Sequence, residues 1–177
     1  MIETVTNFIY YFQYWMQGYR DYNLIMRYAA EQGNINIVKL MMEKGASDYR
    51  PAMRSAAYEG HIDIVKLLLE KLRKRHGDNG MYSALYSRHE FYTTLDCDYP
   101  MYCAAVGGHI TIVELMMENG ANDYNLAICG AAQHGHINIV KLLLEKGANN
   151  YDDILEKAVE GKHVDIVNLI CDICKKQ

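Results

Sequence analysis

The feature that most constrains this chain is a segment that returns five times. It reads INIVKLMMEKGA from Ile35 to Ala46, IDIVKLLLEK from Ile62 to Lys71, ITIVELMMENGA from Ile110 to Ala121, INIVKLLLEKGA from Ile137 to Ala148 and VDIVNLICDICK from Val164 to Lys175. Upstream of each copy stands a pair of small residues: Ala29-Ala30, Ala56-Ala57, Ala104-Ala105, Ala131-Ala132 and Ala158-Val159. The pairs are spaced by 27, 48, 27 and 27 residues, so the period is 27 and one interval is longer by 21. Self-similarity at such a period is the signature of a repeat architecture.

Each unit reads as two antiparallel helices. In the second helix of the first unit Asn36, Lys39 and Glu43 form one polar stripe, repeated as Asp63, Lys66, Glu70 and as Asn138, Lys141, Glu145. Ile35, Ile37, Val38, Leu40 and Met41 leave the helix apolar over a wide arc. Stacking between neighbouring repeats can cover such an arc. The small pair lets the first helix approach the second closely. Gly33, Gly60, Gly108 and Gly135 fall where the first helix must stop, and Gly45, Gly120 and Gly147 where the second must stop. A left-handed residue after the last turn suits both places. In the fifth unit Lys162 stands where Gly135 stands in the fourth, and Gly161 comes one residue early. Either Lys162 takes the left-handed geometry or the helix ends a residue sooner.

Composition sets bounds on function. The chain has 177 residues, half of them hydrophobic, with 18 Lys and Arg against 22 Asp and Glu, a formal net charge of −4. A mildly acidic chain gives no general reason to expect nucleic acid or an anionic membrane as partner. The five cysteines, Cys97, Cys103, Cys129, Cys171 and Cys174, are odd in number and irregularly spaced, and read as reduced thiols of an intracellular protein. No apolar run reaches the roughly 18 residues of a membrane span. The start of the chain is aromatic and carries Glu3, unlike a secretory signal.

Several patterns admit two readings. His61, His109, His136 and His163 open successive second helices. A shared metal is one reading, but a repeat width separates them, too far for bonds of about 2 Å; hydrogen bonding to the local backbone is the other. Cys171-x-x-Cys174 lacks a second ligand pair and reads as helix packing rather than a zinc or redox site. Lys71-Leu72-Arg73-Lys74-Arg75 reads as the solvated end of a helix, with a nuclear-localisation signal as the alternative. Tyr22, Tyr49, Tyr99, Tyr124 and Tyr151 recur at the starts of the repeats and imply one shared structural job. Tyr58, Tyr82, Tyr86 and Tyr92 do not recur and suit contact with a partner.

The long interval is expected to be an elaborated excursion. Leu72 replaces a stop glycine, so the helix should continue through Arg73, Lys74 and Arg75 and end near Gly77, where Gly77-Asp78-Asn79-Gly80 favours a turn. Met81, Ala84 and Leu85, continued by Arg88 and Phe91, suit a short helix over 81–91. Thr93 to Asp98 reads as a return loop, and Pro100 suits the first turn of the next helix. Tyr82, Tyr86, Arg88 and His89 make this excursion a candidate second recognition surface; a solvated loop that binds nothing is the alternative. At the other end Asn7 and Gly18 fall one period before Asn34 and Gly45. Residues 8–17 therefore suit a cap helix without its partner, or an aromatic face that pairs two copies or binds a partner.

Gly60-His61-Ile62-Asp63-Ile64-Val65-Lys66-Leu67-Leu68-Leu69-Glu70 and its copies ending Lys44-Gly45-Ala46 and Lys146-Gly147-Ala148 resemble the ankyrin repeat. The short units are also similar to those in ankyrin proteins of large DNA viruses of amoebae. The resemblance covers residues 21–71 and 98–175. It implies an all-α solenoid of stacked antiparallel helix pairs. The single domain comprises a cap helix over 1–20, repeats over 21–47, 48–71, 98–122, 123–149 and 150–175, and an insertion over 72–97. Two departures stand out. The period is 27 where the family has about 33, and the missing residues are those of the projecting finger. The T-P-L-H signature is absent, its Leu position being held by Met26, Met53, Met101, Ile128 and Leu155.

The resemblance implies a non-catalytic module that binds a partner protein on the concave face, without cofactor or metal and without nucleic acid or membrane. In the family the two residues before the glycine of the first helix often contact partners. Here these are Glu31 and Gln32, Tyr58 and Glu59, Val106 and Gly107, Gln133 and His134, and Glu160 and Gly161. They differ between copies while the core columns do not. The alternative is an adaptor that joins a partner to other machinery such as a ubiquitin ligase; no F-box-like tail follows the last helix, so the insertion or the N-terminal helix would have to supply its second surface. The expected form is a monomer unless the aromatic N-terminal helix pairs two copies. The expected location is the cytoplasm, that of the host cell if the chain is viral.

Overall fold

The computed structural model describes residues 21–78 and 97–175, the side chains of 75–78 excepted. The expected cap helix, the expected helix over 81–91, and Tyr82, Tyr86, Arg88, His89 and Tyr92 lie outside the described residues. The chain divides into two compact units, Met1–Met81 and Tyr82–Gln177. The first contains α1 (Tyr22–Glu31), α2 (Ile35–Glu43), α3 (Tyr49–Tyr58) and α4 (Ile62–Asp78). The second contains α5 (Asp98–Gly107), α6 (Ile110–Glu118), α7 (Tyr124–Gln133), α8 (Ile137–Glu145), α9 (Tyr151–Glu160) and α10 (Val164–Cys174). The described residues are thus all-α, in helix pairs stacked as the repeat pattern requires.

Local chemistry sets the helix ends. Asp21 Oδ1 accepts the backbone N–H groups of Asn23 and Leu24 at 3.1 Å, and Asp123 Oδ1 accepts that of Leu126 at 3.0 Å. These bonds satisfy donors that the first turn cannot pair internally. At the other end the residue after each stop glycine donates back across the last turn. His136 N bonds Ala131 O at 2.9 Å, and Ala148 N bonds Leu143 O at 3.0 Å. All seven expected stop glycines have positive φ, between 72° and 106°. Lys162 keeps the same closure with φ of 62°, so of the two expected alternatives the left-handed lysine is the one adopted. As expected, α4 runs past the place of a stop glycine, and Pro100 lies in the first turn of α5.

The core is a set of columns through each unit. Ala29, Ala30, Ala56 and Ala57 in the first unit and Ala104, Ala105, Ala131 and Ala132 in the second are fully buried. Beside them lie Met26 and Met53, Met101 and Ile128, and the valines Val38, Val65, Val113 and Val140, also fully buried. Burying each larger side chain contributes about 1.5–3 kcal/mol. One expectation needs correction. Leu40 is not covered but 45% exposed, because only Val38 and Met41 of α2 face the core. In the fifth repeat Ile154 is the fully buried residue, while Leu155 is half-buried.

Within each unit the first helices lie side by side, α1 against α3, and α5 against α7 against α9. The second helices touch along narrower strips. Clefts of similar size open between them, one of 430 Å³ lined by Lys39, Met42, Tyr49 and Leu67, the other of 420 Å³ lined by Glu114, Met117, Tyr124 and Leu142. The lining positions are equivalent in the repeat. These clefts are therefore products of the repeat geometry rather than individual pockets.

Candidate interaction surface

Two polar ladders hold successive repeats in register, and both set the shape of the first-helix side. The first is built by the histidines. His61 Nε2 lies 3.0 Å from Glu31 O, His136 Nε2 2.9 Å from Val106 O, and His163 Nε2 3.1 Å from Gln133 O. A carbonyl can only accept, so each ring is protonated at Nε2. The partner is the end of the preceding first helix, thirty residues back, and not the local backbone as the sequence reading expected. The ring lies where a Cβ on the preceding stop glycine would stand: one on Gly108 would come within 2.6 Å of His136, and one on Gly33 within 2.7 Å of His61. The glycine and histidine columns are thus two halves of one contact.

The second ladder uses a short polar side chain near the start of the first helix. Asn23 Oδ1 accepts the N–H groups of Ser47 and Asp48 at 2.8 and 3.0 Å. Asp98 Oδ1 accepts those of Asn122 and Asp123 at 2.7 and 2.9 Å, and Asn125 Oδ1 those of Asn149 and Asn150 at 2.9 and 3.3 Å. Each clamps the link that opens the next repeat. This accounts for how links of so few residues are fixed.

The recurring tyrosines are corrected at one place. Tyr22, Tyr49, Tyr124 and Tyr151 are half-buried first residues of their helices. The equivalent position in the third repeat is buried Cys97, and Tyr99 lies two residues further on, 44% exposed. Its ring packs on Tyr102 with centroids 5.7 Å apart.

The family-implied contact residues separate into two roles. Glu31, Tyr58, Val106, Gln133 and Glu160 end the solvent-facing stripe of each first helix, and Tyr58 is 47% exposed. The carbonyls of Glu31, Val106 and Gln133 are the ones the histidines hold, so the ladder fixes the backbone that presents these side chains. Gln32, Glu59 and His134 lie at the helix ends, exposed, where they close the last turn. The His134 ring turns onto its own helix, with Nδ1 3.0 Å from Gly130 O.

Helical register places further residues on these stripes. At i, i+3, i+4 and i+7 the stripe reads Tyr99, Tyr102, Cys103 and Val106 on α5. It reads Leu126, Cys129, Gly130 and Gln133 on α7, and Asp153, Glu156, Lys157 and Glu160 on α9. Burial pushes the Tyr102 phenol up, with the neighbouring Tyr99 adding to it. Burial likewise raises the Cys129 thiol, with the Asp153 charge second. A thiol raised in this way carries less thiolate at neutral pH. The Lys157 ammonium is raised by its bonds to Glu160 at 2.8 Å and Glu156 at 3.3 Å.

Among the described residues no three His, Cys, Asp or Glu side chains converge on a position that could hold a metal ion. Cys171 and Cys174 sit on α10, and all five cysteines lie outside any disulfide. No described helix is long and apolar enough to cross a membrane.

A family model described as "Ankyrin repeats (3 copies)" matches the chain over residues 4–79, 26–97, 75–153 and 101–177. No curated protein matches the chain.

Proposed function

The chain belongs to the ankyrin-repeat family, and from that premise we propose that it is a non-catalytic module which binds another protein through the solvent-facing stripes of its first helices. Repeats of this family generally serve protein–protein interaction. One observation carries the reading: equivalent positions behave oppositely in the core and on the stripe. In the first four repeats the buried columns keep Ala, Val and Met or Ile from copy to copy. The stripe changes its chemistry, at one position from Arg27 and Arg54 to Tyr102, Cys129 and Glu156. Packing holds the columns to one shape, whereas a recognition surface is free to differ at each repeat. Glu31 and Tyr58 in the first unit and Val106 and Gln133 in the second are the family-implied contacts that lie on these stripes. Tyr82, Tyr86, Arg88 and His89 belong to the proposed second surface on the insertion, and an adaptor role would use that surface for its other partner. The five reduced thiols favour an intracellular, cytoplasmic protein.

The test is affinity capture on the full chain followed by quantitative binding of the identified partner. Tyr58→Ala and Gln133→Ala should fold normally and bind more weakly, and deletion of residues 73–93 should weaken binding without unfolding either unit. Full affinity in the deletion variant removes the insertion from the site and the adaptor reading with it.

A further inference from the structure

Resting on the reading that the first-helix face binds a protein, we propose that the part formed by α5, α7 and α9 takes a peptide segment of the partner in which an apolar or aromatic side chain lies about three residues from a lysine or arginine. The stripes of these helices lie side by side, and position by position they run Tyr99, Leu126, Asp153; then Tyr102, Cys129, Glu156; then Cys103, Gly130, Lys157; then Val106, Gln133, Glu160. The first two helices offer no charged side chain on the stripe, and the third offers four.

The apolar half is shaped to receive a side chain. Tyr99 and Leu126 occupy the same repeat position and are 44% and 38% exposed. Behind them Gly130 is buried, and a Cβ there would stand 2.7 Å from Val106 Cγ2 and 2.9 Å from Tyr102 Cε2. The absence of a side chain lets Tyr102 and Val106 settle onto the α7 backbone and keeps this part of the face low. Exposed aromatic and aliphatic groups around such a floor suit an anchor residue.

The acidic half is under-compensated. Asp153, Glu156 and Glu160 are exposed, and the stripe's single cation, Lys157, is shared between Glu156 and Glu160. Asp152, also exposed, adds a further carboxylate beside the stripe. Glu160 lies in the last turn of α9, where the helix dipole disfavours an anion. The Lys157 bond offsets part of that cost within the helix, and a basic group on a partner would offset the rest. Packed helices stand about 8–10 Å apart, and an extended chain advances about 3.3 Å per residue. A step from the Leu126 region to α9 thus spans about three residues. The equivalent stripes of α1 and α3 carry Arg27 and Arg54 and offer no such acidic row.

The experiment selects phage-displayed random dodecapeptides on the full chain, then measures synthetic copies of the enriched clones by fluorescence anisotropy at low and high salt. Enriched sequences should carry a basic residue about three positions from an apolar or aromatic one. Their affinity should fall with salt, fall about tenfold in the Glu156→Gln, Glu160→Gln double variant, and fall in Leu126→Ala. Lys157→Gln removes the competing internal cation and should tighten binding, an effect that damage to the fold would not produce. Circular dichroism of each variant checks folding. Enriched peptides without basic residues, or equal affinity for the Glu156→Gln, Glu160→Gln variant, overturn the proposal. If Leu126→Ala still weakens binding in that case, the first-helix face survives as the site. If neither change has any effect, the face reading fails as well.

Discussion

The Nε2 atom of His136 lies 2.9 Å from the carbonyl oxygen of Val106, joining the start of one repeat's second helix to the end of the preceding repeat's first helix. The contact is part-buried, and it presents Val106 on the stripe next to the glycine closure of α5. Replacing His136 by Ala leaves a carbonyl at a helix end without its partner and removes the ring that packs on Gly108. The expected loss is about 1–3 kcal/mol, read as a lower urea midpoint with an unchanged slope. A loss within a few tenths of a kcal/mol would show that the ladder contributes little.

Gly108 and Gly120 separate backbone geometry from packing. Both have positive φ, 82° and 96°, but a Cβ on Gly108 would meet the His136 ring while one on Gly120 would meet nothing within 4 Å. Each alanine substitution should cost about 1–2 kcal/mol for the left-handed conformation. Gly108→Ala should cost at least about 1 kcal/mol more, because the His136 bond is lost as well. Equal losses in parallel denaturation curves would mean that the ring moves aside freely.

The fifth repeat should open first. Lys162 is left-handed at φ 62°, and Val159 and Val164 are 62% and 67% exposed where the fourth repeat has fully buried Ala132 and half-buried Ile137. Lys162→Gly should stabilise by about 0.5–1 kcal/mol, the steric relief being partly offset by the freer unfolded chain. Amide exchange over residues 152–175 should be faster than over 125–147. Equal protection in the two segments, or a destabilising Lys162→Gly, would contradict this account.

Asn125 tests the second ladder. Its Oδ1 accepts two N–H groups of the following link. Asn125→Ala should cost about 1–2 kcal/mol. Asn125→Asp should be nearly neutral, because Asp98 performs the same task one repeat earlier. Thermal unfolding of the two variants side by side distinguishes a specific clamp from a generic surface position.

The helix pairs were legible in the sequence because the period, the small-residue pairs and the stop glycines are local signals that recur along the chain. The extension of α4 followed from a single absent glycine at Leu72. The ladders were not legible as contacts, because their partners lie 24 to 30 residues apart, across a repeat boundary rather than within it. Their residues nonetheless recur: Asn23, Asp98 and Asn125 hold one column, and His61, His136 and His163 another. Tyr99 misled because it sits near the start of its helix while Cys97 occupies the true register position. The candidate surface was only partly legible. The family pattern pointed to Glu31 and Gln32, Tyr58 and Glu59, Val106 and Gly107, Gln133 and His134, and Glu160 and Gly161, but Leu126, Asp153 and Glu156 emerge only when the first helices are laid side by side.

On the proposed function, the partner is read by the first-helix stripes and not by the outward polar stripes of the second helices. The direct measurement is the dissociation constant of the captured partner for two sets of alanine variants of the full chain. One set is Tyr58, Leu126 and Gln133; the other is Lys39, Lys66 and Lys141. At least one variant of the first set should lose about 2 kcal/mol or more of binding, with the second set unchanged within about twofold. Losses confined to the second set, with the first set at full affinity, would contradict the account.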